Sequence, residues 1–239
     1  MSTFWTAAVH LFLLAMPAHI LAYYPFHGRI RGSRVKMLVL IVIIQVIEAL
    51  LYGLQIARGG SGRETEFGFA LVYMCVYFFC VKDDYFKLLF LYLFVMDYVI
   101  ILRGFCAFLE ARFFYSPDMV FYSFRSTLIY TAALAVTVPF MLYFFFHARK
   151  QVFDMDAPTF WRVAWMAPAL TTGIVLIFTG DFTLEQVYSF KFLLARTLLL
   201  LCVFVVYFLL LKSLDSIRRQ AVLAEQAAVQ EHLLHLQKT

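Results

Sequence analysis

The stretch VKMLVLIVIIQVIEALLYGLQIA, residues 35–57, decides the fold. Coiled as an α-helix at about 1.5 Å per residue it is about 34 Å long, slightly more than the hydrocarbon thickness of a bilayer. It has no proline, and between Lys36 and Arg58 it carries one charged residue, Glu48. The whole chain shares this bias. Of 239 residues, 64% are apolar, 19% aromatic and only 15% charged, where a soluble domain is charged at about a quarter of its positions. A core of this size cannot hide the surplus from water, so lipid is the solvent that accepts it. A β-barrel is the other way across a bilayer, but the chain lacks the repeated alternating segments of about ten residues that a barrel needs. The reading is all-α: a polytopic membrane bundle of about seven transmembrane helices, residues 1–212, followed by a cytoplasmic coiled-coil helix, residues 213–239.

The expected spans are Thr3–Tyr24, Val35–Ala57, a short Phe67–Val81, Tyr85–Leu109, Met119–His147, Phe160–Gly180 and Gln186–Lys212. Pro17, Pro139 and Pro168 fall inside spans, where neighbouring helices satisfy the freed carbonyls. The first positive charge, Arg29, follows the first apolar run instead of preceding it, which favours an uncleaved first span with its amino terminus outside. Under that topology most of the 20 basic residues lie on the cytoplasmic side, beginning with Arg29, Arg31, Arg34 and Lys36. Trp5 falls at the outer interface, and Tyr23, Tyr24, Trp161 and Trp165 at the inner one, as an aromatic belt requires. A six-span version, with the third and fourth segments forming a re-entrant hairpin, is the structural alternative. The net charge of +5 belongs to these loops and to lipid headgroups, and does not indicate nucleic acid. Cys75, Cys80, Cys106 and Cys202 show no metal-ligand spacing and read as small packing residues; no metal site is expected.

Ionisable groups within hydrocarbon cost a few kcal/mol or more unless they are paired or face water. The spans nevertheless hold Glu48, Asp97, Arg103 and Arg196, with Arg125 and Lys191 near the outer ends of theirs. Counting rise along each span brings them to one stratum, the outer half of the bundle. One reading is a water-filled cavity open to the outside, with aromatic walls and with Arg103, Arg125, Lys191 and Arg196 offered to a carboxylate or other anion. The other is a set of buried pairs, such as Glu48–Arg196 and Asp97–Arg103, that fix registry. A proton or ion path is disfavoured by the lack of acids in the inner half. A retinal protein is excluded because no lysine sits at mid-depth of the last span. The first and last three spans share no matching interruptions, which weakens a transporter built on inverted repeats.

After Lys212 the composition changes. Leu214, Ile217 and Ala221 form one apolar seam and Val222, Val229, Leu233 and Leu236 a second, phase-shifted one, in a Gln- and Glu-rich run without glycine or proline. This favours a continuous helix that dimerises in parallel over one lying on headgroups. It reaches Thr239 without a stop signal, so a further domain is expected beyond it.

The last span, then Leu214-Asp215-Ser216-Ile217-Arg218-Arg219-Gln220 and the Glu/Gln/Leu-rich run to Lys238, resembles the entry to bacterial sensor histidine kinases. The closest likeness is to those with a polytopic sensor and a GHKL-type ATPase, a group that includes peptide-pheromone receptors. The resemblance implies a homodimer in the bacterial cytoplasmic membrane that detects an extracellular ligand, a peptide by analogy. The kinase core that follows would use ATP and Mg²⁺ and pass a phosphoryl group to a response regulator; this chain has no catalytic core and no cofactor of its own. His232 and His235 lack the acidic and basic neighbours of the family's phosphoacceptor and are not assigned that role. A small membrane transporter or transporter subunit is the alternative.

Overall fold

A computed structural model of the chain describes residues 3–114, 123–148, 153, 158–179 and 189–238. Helix dominates throughout. In chain order the elements are α1 Thr3–Tyr23, α2 Arg34–Ala57, α3 Arg63–Cys80, α4 Tyr85–Phe113, α5 Phe124–Ala148, α6 Pro158–Ala164, α7 Met166–Thr179 and α8 Phe190–Lys238, with a short 3₁₀ turn at Tyr24–Phe26. Among the described residues, four helical stretches, Thr3–Phe26, Arg34–Ala57, Tyr85–Phe113 and Phe124–Phe146, are long and apolar enough to cross a membrane. Their outward faces carry exposed large apolar residues, among them Val35, Val39, Ile43 and Leu50 on α2 and Val136 and Phe140 on α5. Such faces suit lipid and not water.

Cross-helix contacts fix the direction of each rod. Gln45 Nε2 donates to the Phe12 carbonyl at 2.7 Å, and Phe4 lies against Gly53, so α1 and α2 run antiparallel. Arg103 meets Glu66, although Cys80 and Tyr85 are close in sequence, so α3 and α4 are antiparallel. Tyr98 pairs with Thr137 and Phe94 with Phe144, which sets α5 against α4. Phe86 stacks on Trp165 and Asp97 bonds Thr172, so the α6–α7 rod runs with α4. Arg196 reaches Ile100 and Tyr207 reaches Asp97 and Phe90, so α8 returns against it. The rods therefore alternate in direction along the chain. The element at the centre is α4, which touches α1, α3, α5, α6, α7 and α8 and is more buried along its length than α1, α2 or α5.

Several boundaries have local causes. Asp84 starts α4 by accepting from the backbone N–H groups of Phe86 at 2.9 Å and Lys87 at 3.2 Å, an N-cap worth about 0.5–2 kcal/mol. The sixth expected span is broken into α6 and α7 at Trp165, because Pro168 can neither donate to the Ala164 carbonyl nor pass it without a clash. The third helix begins a turn earlier than expected, at Arg63. Helix α8 shows no boundary at residues 212/213; it is unbroken from Phe190 to Lys238. The expected start of the fifth span at Met119 and of the seventh at Gln186 lie outside the described residues.

One end of the bundle is tied by a knot of polar groups. The loops after α1 and α3 join through an Ile30–Val81 bridge, in which the Arg31 N–H donates to the Cys80 carbonyl at 2.7 Å and the Lys82 N–H to the Arg29 carbonyl at 2.8 Å. Asp83 bonds Arg29 and lies 3.1 Å from Lys87 Nζ. Lys87 is buried; it also donates to the Phe153 carbonyl at 3.0 Å and sits over the Trp161 ring. This ammonium is satisfied on several sides, as burial of a charge demands.

The α1–α2 contact depends on a missing side chain. A Cβ at Gly53 would lie 2.7 Å from the Phe4 carbonyl oxygen, whereas one at Gly68 in α3 meets nothing within 4 Å. Gly53→Ala is expected to destabilise the bundle by about 1–3 kcal/mol through overpacking, and Gly68→Ala to stabilise it by about 0.5–1 kcal/mol through helix propensity. Unfolding of the purified protein by SDS titration in mixed micelles checks the pair; equal effects would contradict the packing.

Candidate functional site

A cavity of about 110 Å³ lies between α1, α3 and α4, with Glu48 reaching it from α2. Its walls are mainly aliphatic: Leu11, Leu14, Ala15 and Ala18 of α1 face Val95, Met96, Val99 and Ile100 of α4. The small residues on α1 create the space, since side chains of leucine size at positions 15 and 18 would fill it. The lining extends over about three turns of α1 and of α4.

Polar groups occupy two levels of this cavity. At one, Tyr73 Oη donates to Glu48 Oε2 at 2.8 Å, and the His19 ring packs on the Tyr73 ring with centroids 4.1 Å apart. Glu48 is buried, and among the described residues no arginine, lysine or histidine pairs with it. At the other level Arg103 Nη1 contacts both oxygens of Glu66, at 2.8 and 3.1 Å. The Arg103 and Glu66 side chains are 39% and 28% exposed, so this ion pair marks the accessible end of the cavity. With Arg103 neutralised by Glu66, Glu48 remains as an acid with no countercharge among the described residues.

A second polar centre lies deeper in the bundle. Asp97 is almost fully buried and accepts from Thr172 Oγ1 at 2.6 Å and Tyr207 Oη at 3.2 Å. It thus ties α4 to both α7 and α8. Arg196 is also buried; its Nη1 donates to the Ile100 carbonyl at 3.3 Å and its guanidinium lies 4.6 Å from the Phe192 ring centre. The room for it comes from Gly104, where a Cβ would fall 1.5 Å from Arg196 Nη1.

The six residues singled out in the sequence separate into groups. Glu48 and Arg103 line the cavity. Asp97 and Arg196 are buried on other faces of α4 and bind α8 to it. Arg125 is exposed, with its guanidinium over Phe114 and Nη1 3.3 Å from the Phe114 carbonyl. Lys191 is exposed in the first turn of α8. No ion pair joins Glu48 to Arg196 or Asp97 to Arg103 among the described residues, so the expected registry pairs are replaced by Tyr73, Thr172, Tyr207 and Glu66. Hydroxyl partners escaped the sequence reading because tyrosine and threonine carry no charge signal. Glu66 escaped it because it was read as loop, immediately before the expected start of its span at Phe67. No three His, Cys, Asp or Glu side chains among the described residues cluster in a way that could hold a metal.

Comparison with family models, with curated proteins and with solved structures finds no match to this chain. Its function is argued from its own geometry.

The Asp97 node makes a direct prediction. Thr172→Val is expected to lower stability by about 1–2 kcal/mol by removing a donor from a buried carboxylate. In an Asp97→Ala background the same change should be close to neutral, because the acceptor is gone. A double-mutant cycle read by SDS unfolding measures the coupling, and equal effects in both backgrounds would contradict the bond.

Proposed function

We propose that this chain is the membrane-embedded sensory part of a signalling receptor, which reads a small external ligand and passes the change along α8 into the cytoplasm. The observation that supports this most is the single helix α8, 49 residues long. Its first half is held to α4 by Arg196 and Tyr207, and its second half leaves the bundle with its described side chains exposed from Asp215 to Gln230. A continuous helix transmits translation or rotation over its length, because its backbone hydrogen bonds do not yield locally at Gly or Pro.

In this reading the bundle crosses the cytoplasmic membrane of a bacterium seven times, with the amino terminus and the Arg103–Glu66 end outside and α8 emerging inside. The alternating direction of the rods and the basic loop around Arg29–Lys36 support that topology. The tail pairs with that of a second copy. Ile217, Ala221, Val222 and Val229 are exposed on the described helix, while Leu214, Leu233 and Leu236 have side chains outside the described set. The output is a histidine kinase core of the GHKL type, acting on a response regulator, as the sequence resemblance implies. A cavity of this size holds a small molecule or one side chain of a peptide, not a whole peptide.

The transporter reading differs in what the tail does. A transporter needs its assembly helix only for oligomerisation, whereas a sensor needs the tail to respond to the membrane bundle. Single cysteines at Val222 and Val229, in a cysteine-free full-length background in liposomes, are expected to cross-link into covalent dimers. Asp97→Asn, which weakens the tie to α8, is expected to shift the ratio of cross-linking at the two positions. Cross-linking at neither position would remove the dimer, and ratios unchanged by both Asp97→Asn and Arg196→Ala would remove the coupling.

A further inference from the structure

The charge balance of the cavity runs opposite to what its arginine leads one to expect. Arg103 alone among the cavity-lining residues is a permanent cation, and its guanidinium is already bound by both oxygens of Glu66. The acid behind it, Glu48, has Tyr73 as its hydrogen-bond donor on Oε2, and no cation of the described residues reaches it. A carboxylate in a low-dielectric site calls for a countercharge or a further donor. The space in front of it is apolar and compact, smaller than the roughly 150 Å³ cavity that takes benzene in an engineered protein core. Tyr73 and Tyr92 add aromatic surface to the lining, and aromatic rings favour an organic cation.

We propose that the cavity between α1, α3 and α4 binds a small primary amine, whose ammonium pairs with Glu48 while its apolar body packs against Leu14, Ala18, Val95 and Val99. The assignment rests on the sensory reading above and names the chemistry of the ligand. At the accessible end the Arg103–Glu66 pair cancels its own charge, so an approaching ammonium meets no net repulsion before it reaches Glu48. The Arg103–Glu66 pair turns away a carboxylate, because Glu48 lies behind it with no cation to receive the anion. Size selection follows from the aliphatic walls and the small volume, which favour a short alkyl body over an aromatic ring.

Propylamine, 1-propanol and propionate have three carbons each and differ in the head group, so together they isolate the charge. The full-length protein in nanodiscs is titrated with each by saturation-transfer NMR, with empty nanodiscs as the reference for bilayer partitioning. Propylamine is expected to saturate, to bind at least about tenfold more tightly than the alcohol, and to outcompete it, as one charge-assisted hydrogen bond provides; propionate is expected not to bind. Glu48→Gln should reduce propylamine to the level of the alcohol and leave the alcohol unchanged. Ala15→Leu, which fills the cavity without touching its charges, should abolish both.

Equal affinity of amine and alcohol for the wild-type protein would overturn the proposal, whether or not Glu48→Gln folds. Binding of propionate, or signals no greater than those from empty nanodiscs, would overturn it as well. The same titration repeated on the Val222 and Val229 cysteine proteins separates the two claims. Selective amine binding that leaves tail cross-linking untouched keeps this site and removes the sensory reading. A tail that responds to Asp97→Asn while the amine fails to bind keeps the sensory reading and removes this site.

Discussion

A carboxylate at the middle of α4 is the constraint around which the other helices are arranged. Lipid offers Asp97 neither a proton donor nor a countercharge, so protein must supply both of the bonds it makes. Thr172 of α7 and Tyr207 of α8 do so, and each brings its helix into contact with α4. Removing the partners would leave a buried acceptor unsatisfied, at about 1–3 kcal/mol for each lost bond. Helix association in lipid lacks the hydrophobic drive available in water, so a few polar ties and close packing decide which rods touch. The Phe90, Phe94, Tyr207 and Trp161 rings pack around this level and exclude competing partners. The polar tie sets the register, and the aromatic packing holds it.

Further toward the start of α8, Arg196 makes a second attachment of a different kind. It depends on Gly104 for space and on the Ile100 carbonyl and the Phe192 ring for partners. The two attachments are three turns apart on α8, so together they fix both its height and its rotation against α4. The cavity lies on another face of the same helix: Val95, Val99 and Arg103 line it, while Asp97 and Gly104 meet α7 or α8, and Ile100 borders both, lining the cavity and offering its carbonyl to Arg196. An occupant pressing on one face of α4 therefore acts on the helix that positions α8. The coupling needs no long chain of residues, only a displacement of one rod between two neighbours.

Much of this was legible in the sequence. Apolar runs of spanning length fixed the helical class and the approximate positions of α1, α2 and α4, whereas the break near Pro168 was not foreseen, since Pro17 and Pro139 lie inside unbroken helices. The interest of Glu48, Asp97, Arg103 and Arg196 was also legible, because charge in hydrocarbon is costly and rarely idle. Their partners were not. Rise along a helix gives depth but not azimuth to within the width of a side chain, and residues at one depth can face opposite sides of the bundle. Depth alone thus grouped Arg196 with Glu48, although they lie on different faces of α4's surroundings. The knot at Lys87 was hidden for a related reason: Lys82-Asp83-Asp84 reads as a solvated turn, and only the approach of Arg29 and Phe153 makes it a buried cluster. The cavity itself comes from alanines on α1, which carry no signal of emptiness until the facing helix is known.

The account stands on α8 carrying a signal from one side of the membrane to the other, and sidedness tests that most directly. Single cysteines at Ser61, in the loop between α2 and α3, and at Ala227, in the tail, can be probed in intact cells with a membrane-impermeant maleimide. The proposed seven crossings would place them on opposite sides: Ser61→Cys should label from outside, and Ala227→Cys only after the membrane is opened. Labelling of both positions from the same side would contradict the account.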